Sequence, residues 1–281
     1  MAISLKSSYQ HCQKITRERA RNFYYGIRLL PSARRDALCA IYAFFRYTDD
    51  LSDDETAQDR LALLAAWRRA LDAGGDSSSP ILPAFRHAVE RYAIPPRYFE
   101  ELIQGTEMDQ TVSRYPTFQD LYGYCYRVAS TVGLVCIHVF GFDRSPEALK
   151  MAEERGIAFQ LTNILRDIAE DAGRGRIYLP LEDLQRFQVT PEALLAGRPE
   201  PGFSDLVQFE VDRTRGYYDR SAPLRQRVDR SSRPALDAMT SIYRGLLDKI
   251  QHLGPRVLVR RARLNAAEKL AAAGKSLIGL R

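Results

Sequence analysis

The chain has 281 residues, 45% of them hydrophobic, which is enough to bury a substantial core and excludes a disordered polymer. Its 41 Lys+Arg against 35 Asp+Glu give a net charge of +6, a mild excess that fits phosphates or anionic lipid; acidic residues are mixed through most of the chain, which points away from nucleic acid. Cys12, Cys39, Cys125 and Cys136 form no CxxC pair and sit in apolar segments, so buried free thiols in a reducing cytoplasm are expected in place of disulfides or zinc ligands.

In chain order, the opening "MAISLKSSYQHCQ" lacks an apolar signal core. Apolar residues then recur at three- and four-residue spacings over 34–50, 57–72, 81–92, 97–109, 117–141, 145–171, 204–222, 233–252 and 256–273, and each stretch is predicted to be a helix. No alternating β-branched run bounded by hairpin turns appears. The most apolar run, "VASTVGLVCIHVFGF" at 128–142, is shorter than the ~20 residues of a membrane span. The interruptions "DAGGDSSSP", "YAIPP", "GFDRSP" and "LAGRPEPGF" have connector length, so the prediction is a single all-α domain over 1–281 that ends in a basic tail, 255–281.

Two stretches carry the chemistry. In "FFRYTDDLSDDE", Asp49 and Asp53 are four apart, as are Asp50 and Asp54, so on a helix each pair stacks like charges on one face, which destabilises it. Acids favour the first turn of a helix, but here an apolar run flows into them with no Gly, Pro or cap between, which puts them at the wrong end of the upstream helix. A compensating cation is the simplest account. In "QLTNILRDIAEDAGRGRIY", Gln160, Asn163, Asp167 and Asp171 form one polar stripe along a helix, with a second Asp-x-x-x-Asp pair on it. Arg46 and Arg166 precede the two pairs, and Arg174 and Arg176 follow the second. Carboxylate pairs flanked by arginines describe a site for Mg²⁺ and phosphate, because Mg²⁺ takes a few carboxylates plus phosphate oxygens and arginine grips phosphate with a planar fork of donors. A di-iron bundle is excluded, since no histidine has a glutamate three positions before it, and no EF-hand glycine, P-loop or GxGxxG is present.

With "NFYYGIRLLPSARRDALCAIYAFFRYTDDLSDD" (22–54), "YCYRVASTVG" (124–133) and "QLTNILRDIAEDAGRGRIYLP" (160–180), the chain resembles the squalene/phytoene synthase family of head-to-head prenyl synthases over roughly residues 20–255. The resemblance implies an isoprenoid-synthase-type helical bundle around a central cavity, with the aspartate pairs near its mouth across bound diphosphate and Mg²⁺, or Mn²⁺ in its place. Carried over by position, Asp49, Asp53, Asp167 and Asp171 are the implied metal ligands. Tyr42, Arg46, Gln160, Asn163 and Arg166 match positions that contact diphosphate or the reacting allyl end, and Arg176 lies in a flap-like segment after the second motif. Tyr124 matches a tyrosine implicated in proton handling, with an ordinary core aromatic as the other reading. Asn22 stands where the family commonly has serine, although an amide still offers a hydrogen bond to diphosphate.

In such chemistry metal and arginines neutralise the departing diphosphate, and apolar helices keep water from the allylic cation. Ala129, Ser130 and Gly133 are small enough to let a prenyl chain lie against backbone, or simply to pack a core helix. The wording sits closest to the bacterial hopanoid-pathway presqualene diphosphate synthases and the phytoene synthases. The reading favoured from sequence is condensation of two farnesyl diphosphates to presqualene diphosphate, with onward reduction to squalene by NADPH left open. The alternative is phytoene or dehydrosqualene synthase, and from another class a non-catalytic prenyl-lipid-binding or assembly protein. Monomer and homodimer both stay open. The tail "PRVLVRRARLNAAEKLAAAGKSLIGLR" carries seven Lys+Arg against one Glu and reads either as a helix covering the bundle end or as a basic amphipathic segment resting on anionic membrane.

Overall fold

The computed structural model describes residues 3–53, 56, 59–72 and 79–278, with backbone alone for Arg21, Asp53, Asp72 and 275–278. Fifteen α-helices run in order: α1 Leu5–Arg19, α2 Arg21–Ile27, α3 Ser32–Asp53, α4 Arg60–Asp72, α5 Leu82–Arg91, α6 Arg97–Thr111, α7 Phe118–Cys125, α8 Thr131–Phe140, α9 Pro146–Gly173, α10 Leu181–Arg186, α11 Pro191–Leu195, α12 Phe203–Arg220, α13 Leu224–Arg227, α14 Arg233–Leu253 and α15 Ala266–Ile278. Among the described residues there is no strand, and two isolated bridges, Arg114 with Ile177 and Phe142 with Val228, are the only β-type pairings. The all-α expectation holds.

The longest element, α9, has 28 residues and starts where the sequence provides for it: Ser145 accepts a hydrogen bond from the Ala148 N–H and Pro146 follows at the first turn. It packs between α8, α12 and α14, so it touches both apolar clusters of the bundle. One cluster is centred on Phe44, stacked on Phe85 at 4.2 Å and on Trp67 at 5.2 Å between ring centroids. The other gathers Tyr115, Tyr124, Tyr178, Phe203 and Tyr218 around the C-terminal half of α9.

Three features matter for the site. First, α3 runs through the acid cluster to Asp53, so Asp49 and Asp50 do lie at its C-terminal end and not at the start of α4; the Asp53 side chain and Asp54 lie outside the described residues. Second, α7 and α8 are joined without a break by a π-helical turn, Tyr126–Ser130, where the ladder loosens as it passes α9. The continuous stretch Phe118–Phe140 is long and apolar enough to cross a membrane by length and composition, unlike the shorter run read from sequence, yet half of it is buried inside the protein as a wall of the bundle. Third, the helix predicted over 256–273 is two elements. Gly254 has φ of +52°, a 3₁₀ turn occupies Gly254–Leu258, and 259–265 is not helical before α15. Pro255 and the arginine-rich "VLVRRARL" account for the break, since that stretch buries Val257, Leu258 and Ala262 without helical spacing. Sequence periodicity missed α1 because its buried positions are Ser8, Cys12 and Thr16, a stripe of small side chains at period four with little hydropathy contrast.

The four cysteines are free; Cys12, Cys39 and Cys125 are buried and Cys136 is half-buried.

Candidate active site

The polar stripe of α9 and the acidic end of α3 line one chamber of ≈ 360 Å³. From α3 come Arg46, Asp49 and Ser52; from α9 Gln160, Asn163, Arg166, Asp167 and Asp171. The segment after α9 adds Arg174, Arg176 and Tyr178, while α6 adds Thr106 and Asp109 and α7 adds Tyr124. Beneath it lies an apolar cavity of ≈ 280 Å³ walled by side chains such as Phe23, Ile41, Phe45, Val132, Ile137 and Phe159. Arg46, Asp49, Gln160 and Asn163 line both spaces, so they form the rim where a polar mouth meets an apolar sleeve.

Every sequence-predicted site residue whose side chain is described lies on this rim or in one of the two spaces, Asn22 excepted. Tyr42 lines the apolar cavity, and burial pushes its phenol up to about 12. Asn22, half-buried on α2, lines neither space. Ala129 and Gly133 line the cavity while Ser130, fully buried, donates to the Glu153 carbonyl at 2.8 Å, so that stretch serves as cavity wall and as packing surface together.

Charge in the chamber is only partly balanced. Arg166 grips Asp167 with two bonds, Nε to Oδ1 at 2.9 Å and Nη2 to Oδ2 at 2.6 Å. Arg261, from the tail, reaches Asp167 Oδ1 at 2.7 Å and Glu170 Oε2 at 2.8 Å. Arg46 bonds Asp50, which also pairs with Arg19 at 3.1 Å. Among the described residues no cation pairs directly with the Asp171 carboxylate; burial first, then repulsion from Asp167 and Glu170, raises it to about 7. Arg46 Nε and Asn163 Oδ1 are buried without a hydrogen-bond partner, a donor and an acceptor left over at the rim.

These observations test the fit of a divalent ion. Among the described residues no three acidic, histidine or cysteine side chains are near enough to share one ion unaided. An ion that takes one or two carboxylates and completes its shell with phosphate and water needs no such cage. Asp171, Asp49 and the orphaned amide oxygen of Asn163 on one chamber fit that pattern.

Asp109 and Tyr178 in the chamber, and Arg261 bound to Asp167 beside it, went unread in the sequence. Asp109 accepts from the Tyr178 hydroxyl at 2.8 Å and from the Tyr124 hydroxyl at 3.2 Å, and its carbonyl accepts from Arg176 Nη2 at 2.6 Å. The rings of Tyr124 and Tyr178 stack at 5.2 Å. Arg176 and Tyr178 are held there because the segment after α9 is pinned to the α6–α7 connection: Ile177 N–H donates to the Ser113 carbonyl at 3.0 Å and Arg114 to the Gly175 carbonyl at 2.7 Å. Burial, then the nearby Asp109 carboxylate, raises the Tyr124 phenol well above its ordinary value, so it stays protonated. The only sequence signal for Asp109 was its place three residues after Thr106 on one face of α6; Tyr178 and Arg261 gave none.

A model of the squalene/phytoene synthase family matches residues 16–268. The chain belongs to the squalene/phytoene synthase family. As a squalene/phytoene synthase family member it is a prenyltransferase of the head-to-head type. The chain is 37% identical to a 15-cis-phytoene synthase of Synechococcus elongatus over 95% of its length and 91% of the relative's, and 39% identical to a phytoene synthase of Mycobacterium tuberculosis over 97% and 91%. Among solved structures, a ligand-bound dehydrosqualene synthase superposes with TM-score 0.89 at 26% identity, covering 98% of this chain and 97% of that one. A squalene synthase from Alicyclobacillus acidocaldarius superposes with TM-score 0.82 at 30% identity, covering 89% and 95%. The fold and family implied by the sequence motifs are thus found. The relatives' names back phytoene synthase, the alternative in the sequence reading, better than presqualene diphosphate synthase, the reading first favoured.

Proposed function

We propose that this chain is a phytoene synthase, joining two geranylgeranyl diphosphates head to head through a cyclopropyl diphosphate. The observation that carries the reading is the shared rim: a chamber of carboxylates and arginines opens directly onto an apolar sleeve, the shape a diphosphate with a long hydrocarbon tail requires. The names of the relatives, at 37% and 39% identity over nearly the whole chain, supply the product class.

Asp49, Asp53, Asp167 and Asp171 would hold Mg²⁺, whose positive charge stabilises the departing diphosphate. Arg46, Arg166 and Arg176 bind the diphosphate oxygens with charge-assisted bonds, and Gln160 and Asn163 orient it at the rim. The walls of the sleeve exclude water, so the allylic cation meets the double bond of the second substrate and not a hydroxyl. Forming the cyclopropane releases one proton. The Tyr124 hydroxyl, too buried to become phenolate, takes that proton as it passes its own to Asp109, and Tyr178 keeps the carboxylate in place.

A second reading, presqualene diphosphate from farnesyl diphosphate, is favoured by the 30% identity to a squalene synthase. The non-catalytic reading is disfavoured because all four aspartates are present in the sequence. Parallel incubations with geranylgeranyl or farnesyl diphosphate, Mg²⁺, and NADPH present or absent separate them. Phytoene from the first substrate without reductant supports the proposal; presqualene diphosphate or squalene from the second moves the assignment to the second reading. No condensation from either overturns both.

A further inference from the structure

Arg155 lies on α9 eight residues before Asn163, about 12 Å down the helix axis from the rim. It lines the apolar cavity, where the prenyl chemistry uses no cation. The residue is 7% exposed and forms no ion pair among the described residues; the guanidinium donates Nε to Ser221 Oγ at 2.9 Å, Nη2 to the Ser221 carbonyl at 2.9 Å, and Nη1 to Thr240 Oγ1. Three of the five N–H groups are thus spent on neutral oxygens and two are left. A buried cation without a direct counter-charge is expensive, and hydrogen bonds to two hydroxyls and one carbonyl do not require one, since a neutral amide donor makes them as well.

The same side chain faces a second space. A crevice of ≈ 150 Å³ opens on the far side of Arg155 between α9, α12, α13 and α14, lined also by Arg225, Arg244, Thr240, Tyr218 and Asp237. Three guanidinium groups meet one carboxylate there. Arg225 is engaged with Asp237 through Nε at 2.8 and 3.1 Å, and Arg244 with the exposed Asp219. With Asp237 and Asp219 both counted, three guanidinium groups meet two carboxylates, and the one positive charge left over is that of the buried Arg155.

We propose that this crevice is a second anion site, separate from the catalytic chamber, that takes a phosphate-class anion between Arg155, Arg225 and Arg244. The bound anion supplies the direct counter-charge that Arg155 lacks. Arg155 and Leu236 also line the apolar cavity, so the anion fixes the wall against which the hydrocarbon lies, and occupancy of the two spaces is linked. The inference rests on the crevice alone and stands whether or not the prenyl substrate is correctly named.

Inorganic phosphate is the probe, titrated calorimetrically into the full chain with chelator present. An Arg46→Gln/Arg166→Gln/Arg176→Gln variant removes the three guanidinium groups assigned to diphosphate in the competing chamber; phosphate binding should survive in it. Loss of one charge-assisted contact is worth about tenfold in affinity, so Arg155→Met in that background should weaken binding by at least that factor. Arg244→Gln, a change at an exposed side chain that leaves the core intact, should weaken it by about threefold or more. Binding that vanishes with the chamber variant, or that ignores both Arg155→Met and Arg244→Gln, overturns the site. Loss in Arg155→Met alone, with Arg244→Gln unchanged, also overturns it and makes Arg155 a structural donor.

Discussion

Asp109 is the residue on which the proton-handling account turns. Its two oxygens accept from Tyr178 and Tyr124, and burial keeps both phenols protonated, so under the proposed reaction the carboxylate is where a proton leaving the substrate would come to rest. Asp109→Asn preserves volume but exchanges one acceptor oxygen for a donor, and Tyr124→Phe removes the hydroxyl alone. Each is expected to slow the chemical step about 10²-fold while leaving substrate affinity nearly unchanged, as for a lost acid–base group. Rapid-quench kinetics read this directly; unchanged single-turnover rates in Tyr124→Phe would return that ring to the core. Residues on one helix were legible, because Gln160, Asn163, Asp167 and Asp171 announce a shared face by spacing alone. Asp109, Tyr178 and Arg261 were not, because each joins the site by packing between elements distant in sequence, and no periodicity encodes which helices meet.

At the scale of elements, the contact between α9 and the π-helical turn sets the cavity wall. A Cβ added to Gly156 would come within 2.6 Å of the Ala129 carbonyl oxygen and the Ser130 nitrogen, so backbone and not a flexible side chain would have to move. Alanine gains about 0.5–1 kcal/mol of helix propensity over glycine, whereas overpacking costs about 1–3 kcal/mol, so Gly156→Ala should be destabilising. Thermal melts check the sign, and a raised KM would show the wall displaced. The joint between α10 and α12 gives a pH dependence. Arg213 bonds Asp183 at 2.7 Å and Glu210 at 2.9 Å, one cation for two buried carboxyls, and burial holds Glu210 well above the usual carboxylate range. A group raised on folding contributes stability that is full below its unfolded pKa and is lost as pH climbs through its folded one. Unfolding free energy should therefore fall between about pH 5 and about pH 8 through this group, and Glu210→Gln should flatten that slope. A variant with the wild-type slope would remove Glu210 from the account. Such a joint was invisible in sequence, where Glu210 reads as one more charge on an amphipathic helix.

For the whole molecule, the tail belongs to the bundle more than its composition suggests. Val257, Leu258 and Ala262 are buried, α15 lies on α14 and α2, and Lys249 holds Glu268 at 2.7 Å. The covering-helix reading of the sequence is supported, and among the tail's described apolar side chains Val259 and Leu270, 78% and 60% exposed, are those left open to solvent. Burial of Val257 and Leu258 contributes about 3–6 kcal/mol, so truncation after Gly254 should lower the melting temperature markedly, with or without lipid. A truncated chain that melts like the intact one would detach the tail from the core. The central claim, head-to-head condensation inside this chamber and sleeve, is tested most directly by rapid-quench analysis of labelled geranylgeranyl diphosphate with Mg²⁺ and no reductant. The account predicts a cyclopropyl diphosphate that rises and decays as phytoene appears. Release of diphosphate with only geranylgeraniol, or no turnover of this substrate at all, would contradict it.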